Sequence, residues 1–418
     1  MKRSIVLVLI VVLTAGFFFA ACTPKSSSGS SSQTVVLNCW KGPNSENEAE
    51  LWQVFIDKFQ AENPGIRVDF LVTPWDTYTE KYTAAFAGGT PPDVFHLGDI
   101  FYPPFADQGV LADLTSYAPA SVKNMVGYDL MNYKGKLLGI TFNAFGSALF
   151  YNTDIFNAAG LEPPKTWEEF RSTAKALTKN GIYGFSGDIY RDIAQIFDGF
   201  VFQAGGSILN NEMTELGFGT TEKQRGIQLL YDMVEIDGSI PKINDFSSDE
   251  LNHLFVEGRS AMVIEQIQNT IEFKNQNPDL NFKVAVVPVG PASDYKAARA
   301  QYGCVEGLHM AQASKYKDEA WKFIDFVAIR GEGKSYLKQV NFFSGFPSID
   351  AQIFDMNDPE IQVAAEGVET MFLYPASPHM NEILPEYYLM VQEIFYKTKS
   401  IMQAYNDCNA KVKEICAQ

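Results

Sequence analysis

Alternating strand and helix signals in the first quarter of the chain constrain its fold more than any other sequence feature. Apolar or alternating segments at 34–40, 66–72 and 94–97 predict three short strands. The segments 44–63 and 77–87 lie between them and carry apolar side chains at helical spacing. This order of strand, helix, strand, helix and strand is typical of a mostly parallel sheet covered by helices, so we predict an α/β fold.

The first predicted helix shows the helical pattern most clearly. Leu51, Val54, Phe55 and Phe59 recur at helical spacing, and an Asn-Pro-Gly sequence that starts at residue 63 ends the run. These four side chains predict one apolar face that packs on the sheet.

The rest of the chain continues in the same style and shows no internal repeat. Further strands are predicted at 139–142, 148–151, 260–265 and 282–287. Further helices are predicted at 167–178, 221–235, 248–257 and 317–329, and over most of 382–416. Thr166 stands at the N-cap position of the first of these helices. Open α/β sheets bind ligands at the carboxyl ends of their strands, so two facing lobes predict a cleft.

The N-terminus carries the pattern of an export signal. Lys2 and Arg3 precede an aliphatic run, which small residues and then Cys22 follow. Small residues before a cysteine resemble a bacterial lipoprotein cleavage site, although Phe19 replaces the usual leucine. We predict a signal peptide at 1–21, acylation of Cys22 and a Ser-rich tether over 22–33. An uncleaved transmembrane anchor is the alternative, because the apolar run approaches a spanning length.

Charge and metal-ligand spacing exclude several functions. The formal net charge is -17, which disfavours nucleic acid and anionic membranes as partners. The four histidines show no paired metal spacing, and no phosphate-binding loop or nucleophile elbow occurs. We therefore expect no metal and no cofactor. Export permits disulfides among Cys39, Cys304, Cys408 and Cys416, but isolated buried thiols fit the sequence as well.

Four segments in order resemble one protein family. They are PDVFHLGDIFYPPFADQGVLADLT at 92–115, the stretch 139–170 that contains LFYNTDIFNAAGLEPPKTWEEF, FVEGRSAMV at 255–263, and 284–329 with VAVVPVGP and SKYKDEAWKFIDFV. Together they resemble the extracellular solute-binding proteins of ABC importers, of the maltose-binding-protein-like, sugar-binding type.

The resemblance implies a two-lobed periplasmic-binding-protein-like fold with a hinge and an interlobe cleft. Lobe I comprises 34–142 and 302–346, and lobe II comprises 143–301 and 347–418. The family implies a monomer that captures a small polar solute, above all a sugar or oligosaccharide, in the cleft and delivers it to a membrane permease. Relatives with this layout also take polyols and sugar phosphates.

Polar and aromatic residues after the first two strands are candidate ligand-binding residues. Trp40 ends the first strand, and Glu46 and Asn47 follow it. Trp75 and Asp76 follow the second strand. Aromatic rings stack on the apolar faces of sugars, and carboxylates and amides bind hydroxyl groups. A core position for Trp40 and a plain surface loop for Trp75 and Asp76 are the alternatives.

The resemblance adds further candidates. Asp99 matches an acidic ligand-binding position of the family, and His96 matches a position that is often aromatic. A structural histidine is the alternative for His96. Asn143 and Phe145 match hinge and cleft positions, and a core role is the alternative for Phe145.

The remaining candidates lie on later loops and strands. They are Asp188, Arg191, Gln203, Glu265, Gln266, Gly303, Glu306 and Tyr374. Asp188 and Arg191 form either a hydroxyl clamp or a simple ion pair. Gly303 allows close backbone approach to a ligand. Tyr374 either caps the cleft or packs in the core.

One departure from the family narrows the expected ligand. Glu265 and Gln266 stand where the family commonly has Gly-x-Trp, so hydrogen-bonding groups replace a stacking platform there. A phosphate ligand would call for cationic residues, and Arg191 is the one clear candidate, which favours a neutral ligand.

Two other functions stay open. A secreted glycosidase needs two opposed carboxylates, for which Asp99 and Glu306 are the candidate pair. A carbohydrate-binding surface adhesin could use the same lobes.

Overall fold

The computed structural model describes residues 34–190, 196–375 and 377–418. The predicted signal peptide at 1–21, the acylated Cys22, the tether and the candidate Arg191 lie outside these residues. They stay predictions.

Eleven strands occur within the described residues. In chain order they are β1 Val35–Lys41, β2 Ile66–Val72, β3 Val94–Gly98, β4 Asn132–Tyr133, β5 Lys136–Leu137, β6 Ile140–Asn152, β7 Met262–Gln266, β8 Phe282–Ala285, β9 Gln301–Met310, β10 Phe343–Ser344 and β11 Met371–Phe372.

Seventeen α-helices occur in the same part of the chain. They are α1 Glu48–Glu62, α2 Tyr78–Ala87, α3 Tyr102–Asp107, α4 Tyr128–Met131, α5 Thr153–Ala159, α6 Trp167–Leu177, α7 Phe197–Gln203, α8 Arg225–Glu235, α9 Ser248–His253, α10 Asn269–Gln276, α11 Tyr295–Ala298, α12 Lys317–Ile324, α13 Lys334–Val340, α14 Pro347–Ile353, α15 Pro359–Thr370, α16 Met380–Phe395 and α17 Ile401–Cys416.

The predicted parallel sheet at the start of the chain is confirmed. Strand β1 pairs in parallel with β2 along its full length, from Val35 opposite Ile66 to Lys41 opposite Val72, and it also pairs in parallel with β3.

Thr166 caps α6 as predicted, because its hydroxyl accepts a hydrogen bond from the backbone N–H of Glu169.

The apolar face of α1 differs from the predicted one. Helix α1 buries Trp52, Phe55, Ile56 and Phe59, whereas Val54 is 61% exposed. Trp52 stacks on Phe70 of β2 with ring centroids 4.7 Å apart. The two predicted phenylalanines are therefore correct, but the large indole rotates the buried face away from Val54.

Two long strands carry the chain between its two halves. The predicted strands at 139–142 and 148–151 are one continuous strand, β6. Its first half pairs with β9 and its second half with β7 and β8. Strand β9 then pairs antiparallel with β3. Strands β6 and β9 thus run through the predicted lobe boundaries at 142 and 302, which stay predictions.

A second core forms around the C-terminal helices. Helices α7, α8, α16 and α17 bury, among others, Phe197, Phe218, Leu230 and Tyr387. The helical tail predicted for 382–416 consists of two helices that contact each other.

All four cysteines in the described residues are free, so the isolated thiols are the correct alternative.

Candidate ligand-binding cleft

A cavity of about 560 Å³ lies where the carboxyl ends of β1 and β3 face the start of α10. Its walls are formed by Pro43, Asn44, Ser45, Glu46, Asn47, Trp75, Gly98, Asp99, Ile100, Phe101, Phe145, Gln266, Gln268, Asn269, Ile271, Glu272, Asn275, Tyr302, Cys304, Glu306, Gln339 and Val340. This volume is within the range of small-molecule sites. Strands β6 and β9 form its floor through Phe145, Cys304 and Glu306.

Glu306 is the centre of a hydrogen-bond network beneath the cavity. Its Oε2 atom accepts hydrogen bonds from Asn44 Nδ2 at 2.8 Å and from Asn143 Nδ2 at 2.6 Å. His96 Nε2 lies 3.0 Å from the same oxygen. In the described part of the chain no donor bonds Oε1, so this second oxygen is available to a ligand.

The protonation states in this network follow from burial and neighbours. Burial lowers the pKa of His96, so the ring is neutral at pH 7. Its Nδ1 atom is buried without a partner, so we assign the ring proton to Nε2, which donates to Glu306. Burial alone would raise the pKa of Glu306, but its electrostatic interaction and hydrogen bond with His96, the charge of Lys41 and the amide of Asn143 lower it to about 2. Glu306 is therefore a carboxylate.

A buried ion pair shapes the loop that forms one wall. Lys41 Nζ lies 2.8 Å from Glu48 Oε1, and both side chains are at most 2% exposed. The other oxygen of Glu48 accepts hydrogen bonds from the backbone N–H of Asn44 at 2.8 Å and from the Tyr336 hydroxyl at 3.1 Å. Because Asn44 also bonds to Glu306, the ion pair holds the loop 42–47 against the cavity floor.

Asp99 is the second buried acid of the cavity. It follows the last residue of β3 and is 1% exposed. Its Oδ1 atom accepts a hydrogen bond from Cys304 Sγ at 3.0 Å, and the backbone N–H groups of Ile100 and Tyr374 also favour the carboxylate, whereas Oδ2 is buried and makes no hydrogen bond of normal geometry in the described residues. Burial raises the pKa of Asp99 to about 7. The two acids of one cavity thus have pKa values moved in opposite directions.

Aromatic rings line the cavity beside these acids. Trp75 is 39% exposed, and its Nε1 atom donates to the carbonyl of Pro43 at 2.6 Å. Its ring lies nearly parallel to that of Phe101, with centroids 6.4 Å apart. A Cβ atom on Gly42 would lie 2.5 Å from the indole, so glycine is required for this packing. The indole is therefore fixed in place with much of its surface open.

Comparison with known proteins shows the family. Residues 42–329 match the bacterial extracellular solute-binding protein family, which is more than half of the chain. The chain belongs to this family.

Two relatives show how far the sequence similarity extends to known solute-binding proteins. A protein of Brucella abortus that is named only as a binding protein is 31% identical over 278 residues, which cover 64% of this chain and 66% of that one. The match thus spans just under two thirds of that relative. The maltotriose-binding protein of Pyrococcus abyssi is 23% identical over 350 residues, which cover 81% of this chain and 72% of that one.

A solved structure confirms the two-lobed α/β fold. An ABC substrate-binding protein of Listeria monocytogenes, in complex with cycloalternan, superposes with a TM-score of 0.79. It is 22% identical, and the match covers 92% of this chain and 99% of that chain.

Seven sequence-predicted site residues line the cavity of this solute-binding protein. They are Glu46, Asn47, Trp75, Asp99, Phe145, Gln266 and Glu306. Two more candidates, His96 and Asn143, lie directly behind it and bond to Glu306. Their place is structural support, because both are fully buried.

Two candidates on the first two strands' loops lie away from the cavity. Trp40 packs edge-on against Tyr82, with Lys81 over its ring, because successive strand residues point to opposite faces. Asp76 is exposed in the short turn after Trp75. The alternatives of a packing role for Trp40 and a surface loop for Asp76 fit the structure.

Five further candidates are not on the cavity wall and make contacts inside the protein. Asp188 accepts a hydrogen bond from the Ser248 hydroxyl. Gln203 bonds to Trp167 Nε1 at 2.5 Å and to the carbonyl of Ala300 at 2.8 Å.

The other three candidates of this group lie at strand ends and crossings. Glu265 accepts from Asn269 Nδ2 at 2.9 Å. The Tyr374 hydroxyl donates to Asp198 in a buried cluster. A Cβ atom on Gly303 would lie 2.5 Å from the carbonyl of Phe145, so this glycine permits the close packing of β9 on β6.

Sequence reasoning missed most of one wall. Helix α10 and the turn before it contribute Gln268, Asn269, Ile271, Glu272 and Asn275. The signal was present as an amide-rich run directly after Gln266, at the carboxyl end of a strand. Asn44, Phe101, Tyr302 and Gln339 were also missed.

Metal-ligand clusters and membrane spans are both absent from the described residues. No group of three or more His, Cys, Asp or Glu side chains there is placed to hold a metal ion. None of the helices in that part of the chain combines the length and apolar character that a membrane span requires.

Proposed function

We propose that this protein is the substrate-binding component of an ABC importer and captures a sugar or oligosaccharide in the cavity between its lobes. The observation that carries the proposal is the composition of the cavity wall. The partly exposed indole of Trp75 lies in one wall with the carboxyl groups of Asp99 and Glu306, and Oε1 of Glu306 accepts no hydrogen bond within the described chain.

This combination suits the two surfaces of a sugar. The indole offers a flat apolar face to the C–H face of a pyranose ring. Oε1 of Glu306 and the amides of Asn269 and Gln339 offer hydrogen bonds to hydroxyl groups. The names of the maltotriose-binding relative and of the cycloalternan complex support this ligand class.

Capture requires the lobes to close, and β6 and β9 are the segments that would bend. Ligand contacts on both sides of the cavity favour the closed state, because a ligand shifts a conformational equilibrium by its differential affinity. A membrane permease then binds the closed form of the receptor and takes up the ligand. The predicted anchor at Cys22 and the tether over 22–33 would keep the monomeric receptor near that permease.

A thermal-shift screen of mono-, di- and oligosaccharides tests the proposal. Binding to the native state alone stabilises it by about 2.7 kcal/mol at a hundredfold excess over Kd. A rise in Tm with at least one sugar, together with compaction in X-ray scattering, supports the proposal. The absence of both across the whole panel contradicts it.

Glycoside hydrolysis is a second candidate, favoured by one observation. The pKa of Asp99 is raised to about 7 while that of Glu306 is lowered to about 2, as in an acid and nucleophile pair. Three donors already bond Oε2 of Glu306, which suits binding better than attack. Incubating a bound oligosaccharide with the purified protein and measuring reducing ends decides between the two, because our proposal predicts none.

A further inference from the structure

The walls of the cavity carry charge of one sign. Among the described residues that line it, Glu46, Asp99, Glu272 and Glu306 are acidic, and none is lysine, arginine or histidine. A site for an anionic ligand places cationic side chains or helix N-termini at the anion. No cationic side chain lines this wall within the described residues, and Glu272 in the first turn of α10 offsets the positive end of that helix, whose start faces the cavity.

Three lysines, on β1, α2 and α10, contact partners within the protein. Lys41 is paired with Glu48 and donates to the carbonyl of Gly42 at 2.8 Å. Lys81 lies over the Trp40 ring at 5.1 Å, and Lys274 of α10 lies over the Phe282 ring at 5.6 Å. Each of these three ammonium groups therefore has a partner other than a residue of the cavity wall.

The two buried acids lack donors for part of their hydrogen-bonding capacity. Asp99 Oδ2 is buried and makes no hydrogen bond of normal geometry in the described residues, and Asp99 is only 1% exposed. Glu306 is 4% exposed, and its three donors all bond Oε2. A buried carboxylate is stable only when donors or an opposite charge compensate it. A ligand that brings both gains more from this site than one that brings hydroxyl groups alone.

We propose that the cavity selects its ligand by charge: it binds a sugar that carries a protonated amino group in preference to the neutral parent sugar, and it excludes sugar acids and sugar phosphates. The proposal rests on the proposed function and names the substrate class of that same site. The aromatic faces of Trp75 and Phe101 add attraction for an ammonium group.

The test uses matched sugars that differ in one substituent. Glucose, glucosamine and glucuronate form one set, and the galactose and mannose equivalents and the corresponding disaccharides form the others. Calorimetric titration at pH 7 measures Kd for each. In a set that binds, we expect the amino sugar to bind roughly 10-fold tighter than the neutral sugar. We expect the sugar acid to bind roughly 100-fold more weakly than the neutral sugar, because like charges at close range cost several kcal/mol.

Variants show whether the acids cause the preference. Asp99→Asn and, independently, Glu272→Gln should each lower the ratio of amino-sugar to neutral-sugar affinity severalfold. Glu80→Gln, on the exposed side of α2, is the matched control and should leave the ratio unchanged. Because Glu272 is partly exposed, its variant tests the charge effect even if Asp99→Asn folds poorly.

The outcomes separate this inference from the proposed function. Neutral sugars that bind as tightly as amino sugars, or acids that bind as tightly as either, overturn the charge selection and leave sugar capture intact. A panel in which no neutral or amino sugar binds overturns both.

Discussion

Asn44 Nδ2 lies 2.8 Å from Oε2 of Glu306, although the two residues are 262 positions apart in the chain. The bond joins the loop after the first strand to the strand that returns across the molecule. It is the point at which the cavity wall and the cavity floor are fixed to each other. The buried Lys41–Glu48 pair stabilises the same loop from behind.

Replacing Glu306 should destabilise the protein in a pH-dependent way. Its pKa is lowered from 4.5 to about 2, so its ionisation stabilises the native state above pH 4.5, and this contribution disappears as the pH falls toward 2. Glu306→Gln should therefore lower the free energy of unfolding by about 3 kcal/mol at pH 7 and by much less near pH 3. Urea unfolding at both pH values measures this, and an equal loss at both would contradict the assigned ionisation.

Replacing Asp99 should change the free energy of unfolding in the opposite direction. Its pKa is raised from 3.8 to about 7, so the native state loses stability as the pH rises from 4 through 7. Asp99→Asn should raise the free energy of unfolding at pH 8, by up to about 4 kcal/mol, and change it little at pH 4. Chemical unfolding of the variant and the wild type at both pH values tests this. A variant that is less stable than the wild type at pH 8 would contradict the prediction, because it would show that hydrogen bonds outweigh the cost of burying the ionised carboxylate.

The Lys41–Glu48 pair should show strong coupling. Removing one partner leaves the other charge buried and unpaired, which costs about 3–5 kcal/mol. Lys41→Met and Glu48→Gln should each be this destabilising, and the double variant should be much less destabilised than the sum of the two. A double-mutant cycle in urea measures the coupling, and additive losses would refute it. Lys58→Met, which removes the exposed Lys58–Glu332 pair, is the control and should cost under about 1 kcal/mol.

Trp75 should matter for binding more than for folding. Its side chain is partly exposed and lines the cavity, so Trp75→Ala should weaken sugar binding roughly 10- to 100-fold, whereas Trp75→Phe keeps a stacking face and should lose less. Trp40→Phe is the matched control, because Trp40 packs against Tyr82 and not toward the cavity. Titration of the best sugar from the screen into each variant measures this. Equal affinities of Trp75→Ala and the wild type would place the ligand elsewhere.

The local pattern of the sequence predicted the start of the fold well. Strands β1, β2 and β3 and helices α1 and α2 follow from hydrophobic periodicity and helix-ending residues, which are local signals. The continuity of β6 was missed because the glycine at 146 and the polar residues near it resemble a break in sequence. In the structure β9 and β7 pair across this stretch.

The site was predictable only where a strand end or a motif marked it. Asp99 was predicted from a strand end and the family's acidic position, and Glu306 from the segment that returns between the implied lobes; both line the cavity. Trp40 was predicted to face the cleft, whereas its ring packs against Tyr82, since a one-residue offset along a strand reverses the face. Asn44 reaches the site through a contact across 262 residues, and nothing in the local sequence specifies such a contact.

Calorimetric titration of the tightest-binding sugar from the screen, into the wild type and into Glu306→Gln, tests the central claim most directly. If the cavity is the sugar site, the wild type should bind one sugar per chain. The variant should then bind at least roughly 100-fold more weakly, because its network has lost the carboxylate that holds wall and floor together. Glu80→Gln should match the wild type. Equal sugar affinity in Glu306→Gln and the wild type would contradict the account.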